Sequence, residues 1–171
     1  MDELERLSPE EFKASEKNKI IVILDEVRSM HNVGSAFRTA DAFGVEAIYL
    51  CGYTPVPPHR DIHKTALGAT ETVQWKHFAN TTDAVSSLKG KGYKVFAIEQ
   101  AHDSISLHKF VSTNEPVAFV FGNEVTGVSD DVLKMVDGVV EIPQFGAKHS
   151  LNISVSVGVV LWEVIRAILK K

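Results

Sequence analysis

Short apolar runs alternate with helical patterns along the chain, and this alternation restricts the fold more than any other feature. The runs are Lys19–Leu24, Ala47–Cys51, Lys94–Ile98, Pro116–Phe121 and Val139–Ile142, with a weaker one at Thr72–Phe78. Unbroken apolar strands suit a sheet covered on both faces, and strands separated by helices are joined most simply in parallel. Helical patterns at Gly34–Phe43, Thr82–Lys89, Ser129–Met135 and Leu151–Ile168 supply the covers. The first of these puts Ala36, Phe37, Ala40 and Phe43 on one face. The expected fold class is α/β, a mostly parallel sheet flanked by helices.

A chain of 171 residues fits one domain with a real core. No apolar run approaches the roughly 18 residues that a membrane span needs. Residues 1–18 are rich in Glu and Lys and form an extension ahead of a domain expected over residues 19–171; Ser8-Pro-Glu-Glu-Phe within it can start a short helix. The single cysteine, Cys51, excludes an internal disulfide and a cysteine-based zinc site. A cytoplasmic location is expected. The net charge of −4 argues against holding nucleic acid by bulk attraction. Local basic groups still gather in or beside the loops: Arg28, His31, Arg38, Arg60, His63, Lys64, Lys148 and His149.

The last helix is apolar on most sides, apart from a thin polar stripe of Glu163, Arg166 and Lys170. A helix of this kind is buried on most sides, and in a domain this small a second copy of the chain can cover one of them. Ser150, Ser154 and Gly158 form a small-residue stripe on it.

Three polar loops follow strands. The first runs from Asp25 to Ala40 and leads into a helix, where Asn32 is a candidate helix cap and Arg38 a candidate functional cation; paired with Asp41, Arg38 would be an ordinary surface ion pair worth about 0.3–0.5 kcal/mol. The loop is no phosphate-binding loop, since Gly-Lys-Ser/Thr is missing, and no dinucleotide fingerprint, since Gly34 stands alone. The second, Phe121-Gly-Asn-Glu-Val-Thr-Gly, has two glycines that let a ligand meet the backbone and an acid, Glu124, at a strand's end. The third follows Ile142-Pro143 and reaches Ser150, a good N-cap residue, and Asn152. A strand end, a loop and a helix N-terminus together make a backbone-lined pocket of the kind in which α/β proteins bind ligands. His59, Asp61 and His63 sit after Pro57-Pro58 with loose spacing and read as a solvated loop rather than a metal site.

Taken in order, the three loops resemble the three signature motifs of the SpoU family of RNA 2′-O-ribose methyltransferases, within the SPOUT superfamily. The first motif is Asn32-Val-Gly-Ser-Ala-Phe-Arg38-Thr-Ala with Phe43-Gly44, the second Phe121-Gly122-Asn-Glu124-Val-Thr-Gly127, and the third Ile142-Pro143 followed by Ser150-Leu151-Asn152-Ile-Ser-Val-Ser. Lys64-Thr-Ala-Leu-Gly-Ala69 resembles the family too, and the likeness covers about residues 19–168. The resemblance implies a C-terminal deep trefoil knot, an exception among folds. It implies S-adenosylmethionine as cofactor, no metal, RNA as substrate and a homodimer with its site at the interface. Matched residue by residue, it assigns the cofactor to Gln100 (with Glu99 beside it), Gly122, Ile142, Ser150 and Leu151, and catalysis to Arg38, supported by Asn32, Glu124, Ser150 and Asn152.

The implied reaction is methyl transfer to a ribose 2′-hydroxyl, with tRNA the expected substrate of so minimal a form. rRNA methylation, and a non-catalytic RNA-binding role on the same fold, are the alternatives. A guanidinium keeps its proton at neutral pH, so Arg38 is expected to stabilise the developing alkoxide or grip a phosphate rather than to act as the base.

Overall fold

Each of those apolar runs forms a strand, and for the central ones, Lys19–Leu24, Ala47–Cys51 and Pro116–Phe121, burial on both faces is the reason. The computed structural model describes residues 7–111, 115–147 and 150–169. The strands are β1 (Asn18–Asp25), β2 (Val45–Cys51), β3 (Gln74–Phe78), β4 (Lys94–Ile98), β5 (Ile105–Ser106), β6 (Val117–Phe121) and β7 (Gly138–Glu141). The helices are α1 (Pro9–Ala14), α2 (Met30–Ala42), α3 (Arg60–Ala66), α4 (Ala69–Thr72), α5 (Thr81–Gly90), α6 (Asp130–Leu133) and α7 (Ile153–Leu169). All seven strands pair in parallel, in the order β3-β2-β1-β6-β4-β7-β5.

The two-residue period of a strand divides the core in two. Ile20, Val22 and Leu24 of β1, with Val117, Phe119 and Phe121 of β6, join α2, α3 and α7 on one face. Ile21 and Ile23, with Ala118 and Val120, pack against α5 and α6 on the other. Helices α2 and α5 thus leave the sheet on opposite faces, and the strand order reverses beside β1. Such reversals leave a crevice at the carboxyl edge of an open parallel sheet.

The structure departs from the sequence reading at several points. The segment read as a loop after Pro57-Pro58 is a helix, α3, capped by the His59 ring, whose Nδ1 accepts from the Asp61 backbone at 3.1 Å. Its support is tertiary. A Cβ on Gly34 would strike the Thr65 hydroxyl and the Ile62 carbonyl, so only glycine lets α2 approach α3 this closely. Helix α2 begins before Asn32 and is capped by Ser29, whose Oγ accepts from the Asn32 backbone at 3.2 Å. Helix α7 begins at Ile153, so Ser150 lies ahead of it, and Asn152 caps it through Ser154 N–H at 2.9 Å. Within α7, Glu163 and Arg166 form an ion pair; Lys170 lies outside the described residues. Ser8 and Glu11 make a reciprocal capping box on α1, as that short motif suggested. Among the described residues no helix is long and apolar enough to cross a membrane.

Cys51 ends β2 fully buried. Burial pushes its thiol up to about 12, against a weaker downward pull from a hydrogen bond with Thr81. Since only the thiolate reacts, a disulfide reagent at pH 8 is expected to leave Cys51 untouched in the native protein and to titrate one thiol after denaturation. Fast labelling of the native state would contradict that placement.

Candidate active site

The loops after β1, β4, β6 and β7 meet at the carboxyl edge. The loop after β6 is folded back tightly. A Cβ on Gly122 would collide with the backbone of Gly127 and Val128, and Gly127 takes a φ of +71°. Asn123 and Gly127 exchange backbone hydrogen bonds of 3.0 and 2.9 Å across the turn. The buried Asn123 side chain holds this loop from inside: Oδ1 accepts from Val125 N–H at 2.8 Å, and Nδ2 donates to the Glu26 carbonyl at 2.6 Å. Glu99, after β4, accepts from Val128 N–H at 3.2 Å and Gln100 N–H at 2.9 Å, tying a third loop to the same turn.

Three of the side chains singled out in the sequence form one relay. Glu124 Oε1 accepts from Asn32 Nδ2 at 3.2 Å and from Ser29 N–H at 3.4 Å, while Oε2 accepts from Arg28 N–H at 3.4 Å. Asn32 Oδ1 accepts from Asn152 Nδ2 at 3.1 Å. Asn152 Oδ1 in turn accepts from Ser154 N–H and, at 2.6 Å, from Ser154 Oγ. A carboxylate can only accept, so Glu124 sets the amide orientation of Asn32, which sets that of Asn152, which caps α7. The relay joins all three motifs, from positions 92 and 120 residues apart in the chain.

Partial burial alone would raise the Glu124 pKa, but hydrogen bonds from its own backbone N–H, Asn32, Arg28 and Ser29 outweigh it and hold the carboxyl below its usual value. A depressed pKa means that the tether is intact above the ordinary carboxylate range and is lost only as acid carries the pH down through the lowered value. Removing Asn32 strands two partners at once. Asn32→Ala is expected to cost about 1–2 kcal/mol, and Asn152→Ala about 1 kcal/mol through its cap. The double variant should fall short of the sum by at least about 0.5 kcal/mol in urea denaturation. Strict additivity would contradict the relay.

Beside the relay lies a cleft of about 600 Å³. Gln100, Gly122, Glu124, Ile142, Ser150, Leu151 and Asn152 all line it, so every residue the resemblance assigned to the cofactor faces one space. That volume suits a nucleoside-sized ligand. The loop turn supplies backbone groups, and Ile142 and Leu151 supply apolar wall.

Arg38 does not line this cleft. It is exposed on α2, six residues beyond Asn32 and so about 9 Å further along the helix axis. It makes no ion pair among the described residues; Asp41, its alternative partner from sequence, instead accepts from Thr72 Oγ1. Lys148 and His149 lie outside the described residues. Sequence reading missed Asn123 and Glu26. An Asn between a strand-ending glycine and an acid is the signal that could have found Asn123, because such side chains close turns on their own backbone.

A family model described as the SpoU rRNA Methylase family matches residues 19–162. The chain is 34% identical over 147 residues to the 23S rRNA (guanosine-2'-O-)-methyltransferase RlmB of Nitrosomonas europaea, covering 86% of this chain and 56% of that protein. It therefore spans just over half the length of that relative. It is 32% identical over 168 residues to a tRNA (guanosine(18)-2'-O)-methyltransferase of Thermus thermophilus, covering 98% of this chain and 85% of that one. The crystal structure of an AdoMet-bound rRNA methyltransferase from Sinorhizobium meliloti matches with a TM-score of 0.82 at 29% identity, over 94% of this chain and 61% of the other.

Proposed function

Because the chain belongs to the SpoU rRNA Methylase family, we propose that it methylates a ribose 2′-hydroxyl of RNA using S-adenosylmethionine. The observation that carries this reading is the convergence of the motif residues on one cleft, with the Glu124–Asn32–Asn152 relay along its side. The favoured substrate is tRNA, since the match to the Thermus tRNA enzyme runs through nearly the whole of this chain and 85% of that one. rRNA is the second reading, favoured by the Nitrosomonas relative.

The cleft fits the cofactor in kind: backbone groups of the folded-back loop for polar edges, Ile142 and Leu151 for a flat apolar ring. When bound there, S-adenosylmethionine supplies a methyl group activated by its sulfonium. Gln100, Gly122, Ile142 and Leu151 hold it. Ser150 and Asn152, at the mouth of α7, orient the ribose hydroxyl. Glu124 already accepts from Asn32, Arg28, Ser29 and its own backbone N–H, so it positions the relay rather than taking a proton. Arg38 stabilises the developing alkoxide or grips a phosphate, which then receives the proton.

Arg38 stands outside the cleft of its own copy, and so the working unit is a homodimer. Val155, Val159 and Trp162 leave an exposed apolar stripe along α7 for a second copy to cover. The expected trefoil knot belongs to the C-terminal part of a methyltransferase domain of residues 19–171. Calorimetry tests the cofactor assignment: S-adenosylhomocysteine should bind one per protomer and NAD should not. Binding of NAD alone would overturn it.

A further inference from the structure

Two exposed aromatic side chains follow strands on either side of those that form the cleft's turn, and the mechanism uses neither. Phe145, in the loop after β7, is 99% exposed, and Tyr53, just after β2, is 83% exposed. Among the described residues neither ring contacts another aromatic ring. Both stand at the carboxyl edge of the sheet. Their strands, β2 and β7, are four spacings apart, about 19 Å, with the cleft-forming loops between.

Neither residue sits on a featureless loop. Gln144, the residue before Phe145, lines the cleft. Tyr53 is fixed through its backbone, which donates to Glu26 Oε2 at 3.0 Å; the Glu26 carbonyl in turn takes the 2.6 Å bond from Asn123. Glu26 itself holds a φ of 56°, uncommon for a side-chain-bearing residue, so the loops after β1, β2 and β6 brace one another. The acids on this edge are occupied. Glu26 accepts from Tyr53 N–H, and Glu124 accepts from Arg28, Ser29 and Asn32. The Arg28 side chain forms no ion pair among the described residues; the Arg60 side chain is 85% exposed and meets Asp61 only at 3.9 Å, while Asp61 is held more closely by Lys64 at 2.8 Å. An edge that presents cations and flat rings, with its carboxylates turned to backbone amides, matches a strand of phosphates and unpaired bases.

We infer that Phe145 and Tyr53 are stacking platforms for unpaired bases of the RNA, on either side of the ribose presented to the cleft, with Arg28 and Arg60 meeting its phosphates. This rests on the RNA reading above and extends it to the strand's path. Recognition by stacking tolerates any base, so the pair holds an unpaired segment without choosing its sequence.

The test uses the full-length protein and a short, fluorescein-labelled single-stranded RNA of mixed sequence, beside an abasic ribose–phosphate strand of equal length. Phe145→Ala and Tyr53→Ala should each weaken binding of the base-bearing RNA about five- to hundred-fold, and Phe145→Trp and Tyr53→Phe should retain it. Binding of the abasic strand, affinity for S-adenosylhomocysteine and sedimentation should stay as in the wild type. Equal loss on both strands, unchanged RNA affinity, weakened cofactor binding or an altered oligomeric state would each overturn the assignment. Wild-type methylation of unmodified tRNA, measured alongside, keeps failure of this inference distinct from failure of the RNA reading.

Discussion

Arg38→Ala is expected to lower kcat about 10²–10³-fold, the usual cost of removing one donor from a developing oxyanion. Affinity for S-adenosylhomocysteine should stay at the wild-type value, because Arg38 does not line the cofactor cleft. Stability should change by less than about 0.5 kcal/mol, since the side chain is exposed and makes no ion pair among the described residues. Arg38→Lys keeps the charge and loses the planar fork. If the guanidinium grips a phosphate or alkoxide with two donors, lysine should recover only a small part of the loss. Full activity in Arg38→Ala would remove the residue from the reaction.

Gly122→Ala should act on binding rather than on chemistry. The added methyl meets backbone atoms of Gly127 and Val128, which have no flexible side-chain end to swing aside, so the loop must open. Opening it breaks the Asn123–Gly127 bridge and moves Val128 away from Glu99. Affinity for S-adenosylhomocysteine is expected to fall at least about 100-fold, and urea denaturation should show a loss of about 1–3 kcal/mol for the overpacked loop. Gly146→Ala is the control: a Cβ there meets nothing within 4 Å, so binding and stability should stay near wild type. Equal behaviour of the two variants would contradict the tight turn.

Much of the fold was legible because buried parallel strands write themselves as continuous apolar runs. β6 is buried along its whole length, and β1 from Ile20 onward. β5 was not legible, since two residues at a sheet edge carry no period. α3 was hidden for a different reason: its support is the Gly34 contact from α2, a tertiary effect that local propensity does not record. The same holds in the site. The polar residues of the motifs were visible because they break the apolar patterns around them, and the structure brings Glu124, Asn32 and Asn152 into hydrogen-bond contact. Which residue capped which helix was misplaced by two or three positions, because Ser, Asn and Ser-Leu-Asn offer several adjacent caps and only packing selects one. Asn123 and Glu26 went unseen because their task is to hold loops that the sequence does not show to be neighbours.

The most direct test of the central claim is nucleoside mass spectrometry after the purified protein has been incubated with methyl-deuterated S-adenosylmethionine and unmodified tRNA or rRNA. A single deuterated 2′-O-methylnucleoside, absent when Arg38→Ala replaces the wild type, is the predicted result. Deuterium on a base, or no label in either RNA, would contradict it.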